Sequence, residues 1–297
     1  MFGALLTFDM KKIFILLGIV LASVTLSAQP LKRSQIVRDS VKSVILDETV
    51  NVNVYLPAGY DASSDRLYPV VYLLHGLYGG YSDWARKGHM KEVVDELIAS
   101  GEAARMVIVM PNAGDEDVHN VWNGYFNVPG HNYEDFFFGE LVPQIEKRYH
   151  AVGDKRHRAI MGLSMGGGGS TVYAQRHPDM FSSCYAMSAW LDNPEVKDAK
   201  PGDKLAVVQN SVHEHSALSF VDNADEATLE QLRSVRWFLD CGDDDFLLDL
   251  SCELYRKMRN KGVKCELRVR DGWHSWEYWH QALRLALPFA SRGFCAE

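Results

Sequence analysis

Basic residues are in short supply in this chain of 297 residues. It has 31 Lys and Arg against 39 Asp and Glu, which gives a net charge of -8. Proteins that bind nucleic acids neutralise phosphates with patches of Lys and Arg. The basic stretches at residues 33–38 and 156–158 are too short to form such a patch. We therefore expect no nucleic-acid partner.

Cysteine is also scarce, with five residues at positions 184, 241, 252, 265 and 295. Their spacing matches no zinc-binding motif, and an odd number leaves at least one thiol unpaired. We expect no metal site and no cofactor. Cys184 and Cys241 lie in apolar segments, where a thiol packs as a small hydrophobic group.

No apolar run near the N-terminus is long enough to cross a membrane easily. Residues 13–22 are apolar, follow Met10-Lys11-Lys12, and precede small residues that end at Ala28. This order is typical of a secretory signal peptide, and a membrane anchor is the alternative. We predict a cleaved signal at 1–28 and a single catalytic domain at 29–297. The mature protein is then periplasmic or secreted, without stable membrane insertion.

Apolar segments alternate with helix-like segments along the rest of the chain. Residues 43–57 alternate apolar and polar side chains, which predicts an antiparallel hairpin at a sheet edge. Continuously apolar segments predict buried parallel strands, and the segments between them predict helices on both faces of the sheet. The predicted strands are 68–76, 105–112, 157–164, 182–188, 235–242 and 263–272, and the predicted helices are 82–100, 133–149, 165–176, 247–261 and 275–290.

Two segments interrupt this alternation. Residues 113–131 are rich in Gly, Asn and aromatic side chains, and residues 189–227 are polar and contain two prolines. Connections of this length are usually functional loops or caps. We expect both to lie as long loops over the functional site.

The sequence Gly162-Leu163-Ser164-Met165-Gly166 places a serine between a predicted strand and a predicted helix. A turn completed within one residue holds that serine in a strained conformation and exposes its hydroxyl. The residues two before and two after it must be small, because a side chain there would collide with the strand or the helix. This arrangement is the nucleophile elbow of α/β-hydrolases.

A serine nucleophile needs a histidine base and an acid that orients the base. In this architecture both follow the serine in the chain, in the order acid and then histidine. The next two strands end before Gly242-Asp243-Asp244-Asp245 and before Gly272-Trp273-His274. Because the carboxyl ends of parallel strands share one sheet edge, we predict Asp245 and His274 beside Ser164.

Alternatives remain open for both partners. Asp244 is the second candidate for the acid, and His280 is the second candidate for the base. His280 lies inside a predicted helix, where a surface position is the simpler interpretation. His75, His119 and His131 precede Ser164 in the chain, and we interpret His75 as a structural residue.

The oxyanion formed during acyl transfer needs backbone N–H donors. We assign one donor to Met165, directly after the nucleophile, and the other to Leu77 in the glycine-rich turn His75-Gly76-Leu77-Tyr78. Aromatic residues predicted around the site could bind a sugar or a phenolic ring, although such residues are often core. The candidates are Trp122, Tyr125, Phe126, Trp273 and Trp276.

Four motifs together resemble the esterase D-like branch of the α/β-hydrolases: LLHGLYGG, GLSMGGGGS, CGDDDFL and DGWHSWEYWHQAL. That branch includes carbohydrate esterase family 1 (feruloyl and acetyl xylan esterases), S-formylglutathione hydrolases and mycolyltransferases. The resemblance extends from about Val52 to Phe289. It implies an α/β-hydrolase fold and a triad of Ser164, Asp245 and His274. The tryptophans after His274 are most similar to the feruloyl and acetyl esterases.

The expected function is therefore an exported serine esterase that acts on acetyl or feruloyl esters of plant polysaccharides, with a small-molecule or polysaccharide ester as its partner. An acyltransferase, an S-formylglutathione hydrolase-like thioesterase and an inactive polysaccharide-binding relative are the alternatives. The sequence does not determine the acyl group or the oligomeric state.

Overall fold

The alternating segment near the N-terminus forms the antiparallel edge of a central eight-stranded sheet. A computed structural model describes residues 31–114, 124–200 and 202–295. Two strands, Gln35–Lys42 (β1) and Thr49–Leu56 (β2), pair antiparallel across the turn at 43–48. The predicted hairpin is confirmed, although its first strand begins before residue 43.

The continuously apolar segments form the parallel part of this sheet, in the order β1-β2-β4-β3-β7-β8-β9-β10. β2 pairs antiparallel with β4, and the strands from β4 to β10 are parallel. The α/β-hydrolase fold is thereby confirmed. The remaining strands are β3 (Val70–Leu74), β4 (Val107–Pro111), β7 (Arg158–Leu163), β8 (Ser183–Met187), β9 (Arg236–Gly242) and β10 (Cys265–Arg270), with β5 (Asn127–Val128) and β6 (His131–Asn132) in a separate ribbon.

Helices cover both faces of the sheet. Two apolar clusters, one on each face, bury the side chains that alternate along the strands. The helices are α1 (Asp83–Arg86), α2 (Met90–Ala99), α3 (Tyr133–Phe136), α4 (Val142–Arg148), α5 (Met165–Arg176), α6 (Lys204–Glu214), α7 (Ala217–Asn223), α8 (Glu226–Arg233), α9 (Leu248–Asn260) and α10 (Trp276–Cys295).

Two predicted helices are interrupted. The predicted helix at 82–100 divides into α1 and α2, because His89 has the left-handed backbone conformation, with φ +48°. The predicted helix at 133–149 contains a π-helical turn, Phe137–Leu141, between α3 and α4.

The prediction of a long loop at 189–227 is wrong. This segment contains α6 and α7 and the start of α8, and each helix begins at a side chain that caps its first turn. Asp203, Ser216 and Asp225 accept hydrogen bonds from backbone N–H groups three residues later, a typical helix start. One face of these helices is apolar and buried, through Val208, Val212, Val221, Leu229 and Leu232.

The thiols of Cys184, Cys241, Cys252 and Cys265 are free. Cys184 and Cys241 are buried on β8 and β9, as predicted. In the described part of the chain, no helix combines the length and the apolar character needed to cross a membrane.

Candidate active site

Ser164 lies at a sharp bend between β7 and α5, in a backbone conformation with φ +55° and ψ -119°. Residues with a Cβ rarely adopt a positive φ, and they do so where the surrounding structure enforces it. Here the Ser164 N–H donates to Met187 at 2.9 Å, and the Ser164 carbonyl accepts from Trp190 and Gly168 at 3.0 Å each. These hydrogen bonds hold the bend.

The glycines around this bend are required by close backbone contacts. A Cβ at Gly162 would lie 2.4 Å from the carbonyl oxygen of Gly166, and a Cβ at Gly166 would lie 2.5 Å from the carbonyl oxygen of His75. Both distances are shorter than any tolerable contact. The predicted need for small residues two before and two after Ser164 is confirmed.

The structure brings together the three side chains predicted to form a triad. The Nε2 atom of His274 is 3.0 Å from the Oγ of Ser164. The Nδ1 atom of His274 is 2.9 Å from Oδ2 and 3.1 Å from Oδ1 of Asp245. A histidine between a hydroxyl and a carboxylate can take the hydroxyl proton as the oxygen attacks a carbonyl.

Backbone hydrogen bonds join the loops that carry Asp245 and His274. The N–H of Asp243 donates to Arg270, the N–H of Asp244 donates to Gly272, and the N–H of Gly272 donates to the Oδ1 of Asp243. A Cβ at Gly242 would lie 2.0 Å from the Gly272 carbonyl oxygen, so the two backbones are in direct contact. The acid and the base are therefore positioned together.

The environment of Asp245 favours the carboxylate. Burial raises the pKa of Asp245, but the hydrogen bonds with His274 and with the Leu247 N–H, together with the Ser188 hydroxyl, lower it by a larger amount, so the pKa lies below its usual value. The charged form of Asp245 holds the His274 Nδ1 as the proton-bearing nitrogen. This leaves Nε2 as the acceptor that faces Ser164.

Two residues to which the sequence analysis gives no role at the site, Ser188 and Trp279, support this pair. Ser188 follows β8, is fully buried and has φ +45°. Its Oγ accepts a hydrogen bond of 2.9 Å from the Trp279 indole N–H. The Trp279 ring also meets the His274 ring edge to face, with centroids 4.8 Å apart. The sequence feature that could have pointed to Ser188 is its position at the carboxyl end of a predicted strand.

The predicted oxyanion donors lie on backbone next to Ser164. Met165 is the first residue of α5, where a helix N–H has no partner within the helix. A Cβ at Gly76 would lie 3.3 Å from the Cβ of Ser164, so the turn that carries Leu77 contacts the elbow. The Leu77 N–H makes no hydrogen bond to any other residue that the structure describes.

His75 fixes this turn in place. It is 1% exposed; its Nδ1 lies 2.8 Å from the Gly76 carbonyl oxygen, and its Nε2 accepts from the Ala113 N–H at 2.9 Å. Burial lowers the pKa of His75 from 6.5 to about 4, so the ring is neutral at physiological pH. The interpretation of His75 as a structural residue fits this arrangement.

Neither alternate takes the place of Asp245 or His274 in these contacts. Asp244 is exposed and lies one residue before the buried Asp245. The Nδ1 of His280 lies 2.9 Å from the Gly88 carbonyl oxygen, so that ring is held elsewhere. Asp243, Asp244 and Asp271 bring carboxylate oxygens within 4.8 Å of one another, and all three side chains are exposed to solvent.

Not all of the predicted aromatic residues are available to a substrate. Tyr125 is 1% exposed, and its hydroxyl donates to the His75 carbonyl at 3.0 Å; Phe126 is also buried. Their assignment as substrate-binding residues is therefore corrected, because both rings are part of the core. Trp276 packs edge to face on Trp84 and Trp279. Trp122 lies outside the described residues.

Trp273, one of the predicted residues, is exposed, as are two further aromatic side chains that are neighbours of predicted site residues in the chain. Tyr78, Phe246 and Trp273 are 50%, 76% and 66% exposed, respectively. Each is adjacent in the chain to a predicted site residue, namely Leu77, Asp245 or His274. The Phe246 ring also contacts the His274 ring, with centroids 4.6 Å apart. The exposed ring of Phe246 therefore lies directly beside the predicted base.

Comparisons with known proteins point to one family. A family model described as "Putative esterase" matches residues 43–290. A solved structure of a ferulic acid esterase is 52% identical, with a TM-score of 0.85, over 88% of this chain and 99% of that one. An acetyl esterase of Caldicellulosiruptor saccharolyticus is 23% identical over 78% of this chain and 86% of its own length.

An endo-1,4-beta-xylanase/feruloyl esterase of Xylanibacter ruminicola is 34% identical over 152 residues, which is 50% of this chain and 21% of that protein. Two mycobacterial esterases are 35% identical over 28% of their own length. The chain therefore spans less than a third of the length of these relatives.

Proposed function

Because the chain belongs to this esterase family, with the α/β-hydrolase fold, we propose that it hydrolyses carboxylic esters with Ser164 as nucleophile, His274 as base and Asp245 as the acid that orients the base. The single observation that carries the proposal is the continuous contact from Ser164 through His274 to Asp245, with distances of 3.0 and 2.9 Å. The oxyanion donors in this proposal are the N–H groups of Leu77 and Met165.

The reaction proceeds by acyl transfer in two steps. His274 takes the proton of Ser164 while the serine oxygen attacks the ester carbonyl, and the two N–H groups bind the resulting oxyanion. His274 then protonates the leaving alcohol, and the acyl group remains on Ser164. Water repeats the sequence on the acyl-enzyme, which releases the acid and restores the serine.

We further propose that the alcohol is a sugar hydroxyl of a plant polysaccharide and that the protein is exported. Relatives that are named as feruloyl esterase, ferulic acid esterase and acetyl esterase support the substrate. The signal-like pattern at 1–28 supports export, and it lies outside the described residues.

The exposed rings favour a phenolic acyl group over acetyl. Phe246 offers an exposed ring in contact with His274, and Tyr78 and Trp273 offer exposed rings next to Leu77 and His274 in the chain. Aromatic rings in contact stabilise each other beyond the area that they bury. An acetyl group has no ring to contact them. We therefore infer that feruloyl esters are the preferred substrates, and that acetyl esters are hydrolysed with a lower kcat/KM.

The test compares methyl ferulate, p-nitrophenyl acetate and p-nitrophenyl butyrate as substrates for the wild type and for Ser164→Ala. We expect the variant to lose at least about 10⁴-fold in kcat on each ester. A fluorophosphonate probe should label the wild type and not the variant. Equal turnover by the two proteins would overturn the proposed nucleophile.

The same reagents separate the other candidates. A polysaccharide-binding relative would bind the glycan without labelling by the probe. An acyltransferase would give the acylated acceptor as its main product when an acceptor alcohol is added. A thioesterase would prefer S-formylglutathione to methyl ferulate.

A further inference from the structure

Asp240 is a buried carboxylate that the proposed reaction does not use. It lies on β9, before the loop that carries Asp245, and is 0% exposed. Its Oδ2 accepts from the Tyr185 hydroxyl at 2.5 Å, and its Oδ1 accepts from the Tyr278 hydroxyl at 2.6 Å. The Arg270 guanidinium donates to both oxygens, at 3.1 Å each. This one carboxylate therefore joins β8, β9, β10 and α10, which satisfies the requirement that a buried charge be paired.

Two of these partners flank the loop that carries the base. Arg270 is the last residue of β10, and Tyr278 lies in the first turn of α10, which begins at Trp276. His274 lies between them in the chain. Both ends of the loop at 271–275 are therefore bound to Asp240. Because β9 lies between β8 and β10 in the sheet, the carboxylate that holds the loop belongs to an interior strand.

The two ends of this loop also contact each other. The Arg270 guanidinium lies over the Tyr278 ring, 4.1 Å from its centroid, in a favourable cation–π arrangement. A Cβ at Gly272 would lie 2.7 Å from the Cδ2 of Tyr278, and Gly272 has φ +140°. The backbone of the loop therefore packs directly on the Tyr278 ring. The position of that ring determines the path of the chain into His274.

Tyr185 binds the same carboxylate from a different kind of element. It lies within β8, whose backbone is paired with β7 on one side and β9 on the other. Those backbone hydrogen bonds hold β8 in place without the Tyr185 hydroxyl. The loop at 271–275 follows the end of β10 and has no such ladder. Its position therefore depends more strongly on the side chains that hold its two ends.

We propose that Asp240 is a positioning residue for the base, which fixes both ends of the His274 loop through Arg270 and Tyr278 so that Nε2 faces Ser164. This proposal rests on the proposed function, because it assigns a role in the same reaction. Asp240 acts through the loop and does not touch the reacting atoms. A misplacement of about 1 Å in a reacting group can cost about 10²-fold in rate, so loosening one end of the loop should have a measurable effect.

The test compares Tyr278→Phe with Tyr185→Phe. Each variant removes one tyrosine hydroxyl from the same carboxylate and keeps the ring. We expect Tyr278→Phe to lower kcat and kcat/KM for methyl ferulate by about tenfold each, because a misplaced base weakens the transition state and not the binding of the ester. Tyr185→Phe should change kcat by less than about twofold. Substitution of Asp240 itself would leave the largely buried Arg270 without its partner, so the tyrosines are the cleaner probes.

Thermal unfolding separates positioning from stability. Both variants lose a buried hydrogen bond to a carboxylate, so we expect similar decreases in Tm. Kinetics are then measured well below either Tm. Equal losses of kcat in the two variants, or no loss in Tyr278→Phe, would show that Asp240 only stabilises the fold and would overturn the proposal.

A spectroscopic measurement needs no hydrolysis. The proton between the His274 Nδ1 and Asp245 is observed by NMR, and its exchange with water reports local opening of the loop. We expect exchange to be at least about threefold faster in Tyr278→Phe and unchanged in Tyr185→Phe. Unchanged exchange in Tyr278→Phe would overturn the positioning role. A wild-type protein that shows the expected exchange pattern but does not hydrolyse methyl ferulate would instead remove the proposed function, so the two failures are distinguishable.

Discussion

The indole N–H of Trp279 donates to the hydroxyl of Ser188 across 2.9 Å, although the two residues lie 91 positions apart in the chain. The Ser188 hydroxyl also contributes to the lowered pKa of Asp245. A chain of contacts therefore runs from Trp279 through Ser188 to the acid, and the same tryptophan ring also contacts His274. Neither residue touches the substrate in the proposed reaction, and both position groups that do.

Replacing Ser188 with Ala should raise the pKa of Asp245 towards its usual value. The pKa of Asp245 would still not exceed its usual value of 3.8, so the carboxylate persists above about pH 5 in both proteins, and kcat should fall by the same factor at each pH between about 5 and 8. We expect kcat near neutral pH to fall about three- to tenfold, as expected for a residue that acts through others. The measurement is the pH profile of kcat from about pH 4 to 8.

A double variant provides the control. Ser188→Ala leaves the buried Trp279 N–H without an acceptor, which should cost about 1–3 kcal/mol in the free energy of unfolding. Ser188→Ala with Trp279→Phe removes donor and acceptor together and should cost less than the sum of the single variants. Additive costs would contradict the coupling.

Asp245→Asn should lower kcat by about 10³- to 10⁴-fold, because a neutral amide no longer holds the His274 proton on Nδ1. Asp244→Asn is the matched control, since Asp244 is exposed and adjacent. It should change kcat by less than about twofold, within the small effects of most surface substitutions. Methyl ferulate hydrolysis measures both, and similar losses would contradict the assignment of Asp245.

Gly166→Ala should destabilise the fold. Its Cβ would lie 2.5 Å from the His75 carbonyl oxygen and 2.7 Å from the Leu74 carbonyl group, and backbone atoms cannot move away easily. We expect the free energy of unfolding to drop by at least about 1–3 kcal/mol in a urea titration.

Gly139→Ala is the control for this prediction. Its Cβ would meet the Ile45 Cδ1 at 3.5 Å, an ordinary contact, and the substitution reduces the freedom of the unfolded chain. It should be neutral or slightly stabilising. If the two alanine variants lost the same stability, steric contact at the elbow would not be the cause.

His75 should make the fold sensitive to acid. Its pKa is lowered from 6.5 to about 4, so between these values the unfolded chain binds a proton that the folded chain does not. This contribution favours unfolding as pH falls below about 6.5 and reaches about 2 kcal/mol near pH 5.

The variant His75→Gln isolates this contribution, since an amide oxygen can still accept from the Ala113 N–H and does not titrate. The loss of stability between about pH 7.5 and pH 5, measured by urea unfolding, should be smaller in the variant by about 2 kcal/mol. This difference does not depend on the absolute stability of the variant at neutral pH. The same pH dependence in both proteins would contradict the prediction.

The sequence predicts the strands well, because a strand buried on both faces is a continuous apolar run. The nucleophile elbow is also predictable from the sequence, because close backbone contacts leave no room for a side chain at Gly162 and Gly166. The helices α6 to α8 were missed because their surfaces are mostly polar, and polar composition resembles that of a loop. Capping by Asp203, Ser216 and Asp225 was the available signal.

Residues that act through distant contacts could not be predicted. Ser188 carries no pattern of its own, Trp279 is visible only as part of the motif after His274, and the roles of both depend on how β8 and α10 pack together. The exposure of Phe246 and the burial of Tyr125 are similarly set by the tertiary structure. A local motif therefore predicts the backbone conformation of its residues better than it predicts which of their side chains are exposed.

The nucleophile follows β7, the acid follows β9, and β8 lies between these two strands. One interior strand, β8, therefore separates the strands that carry Ser164 and Asp245. The hydrogen bonds of β8 to β7 and β9 keep the distance between those two strands constant. Heating should not gradually misalign the reacting groups while the sheet survives. Catalysis should instead persist up to the cooperative melting of the sheet, so that the temperature profiles of inactivation and of unfolding coincide.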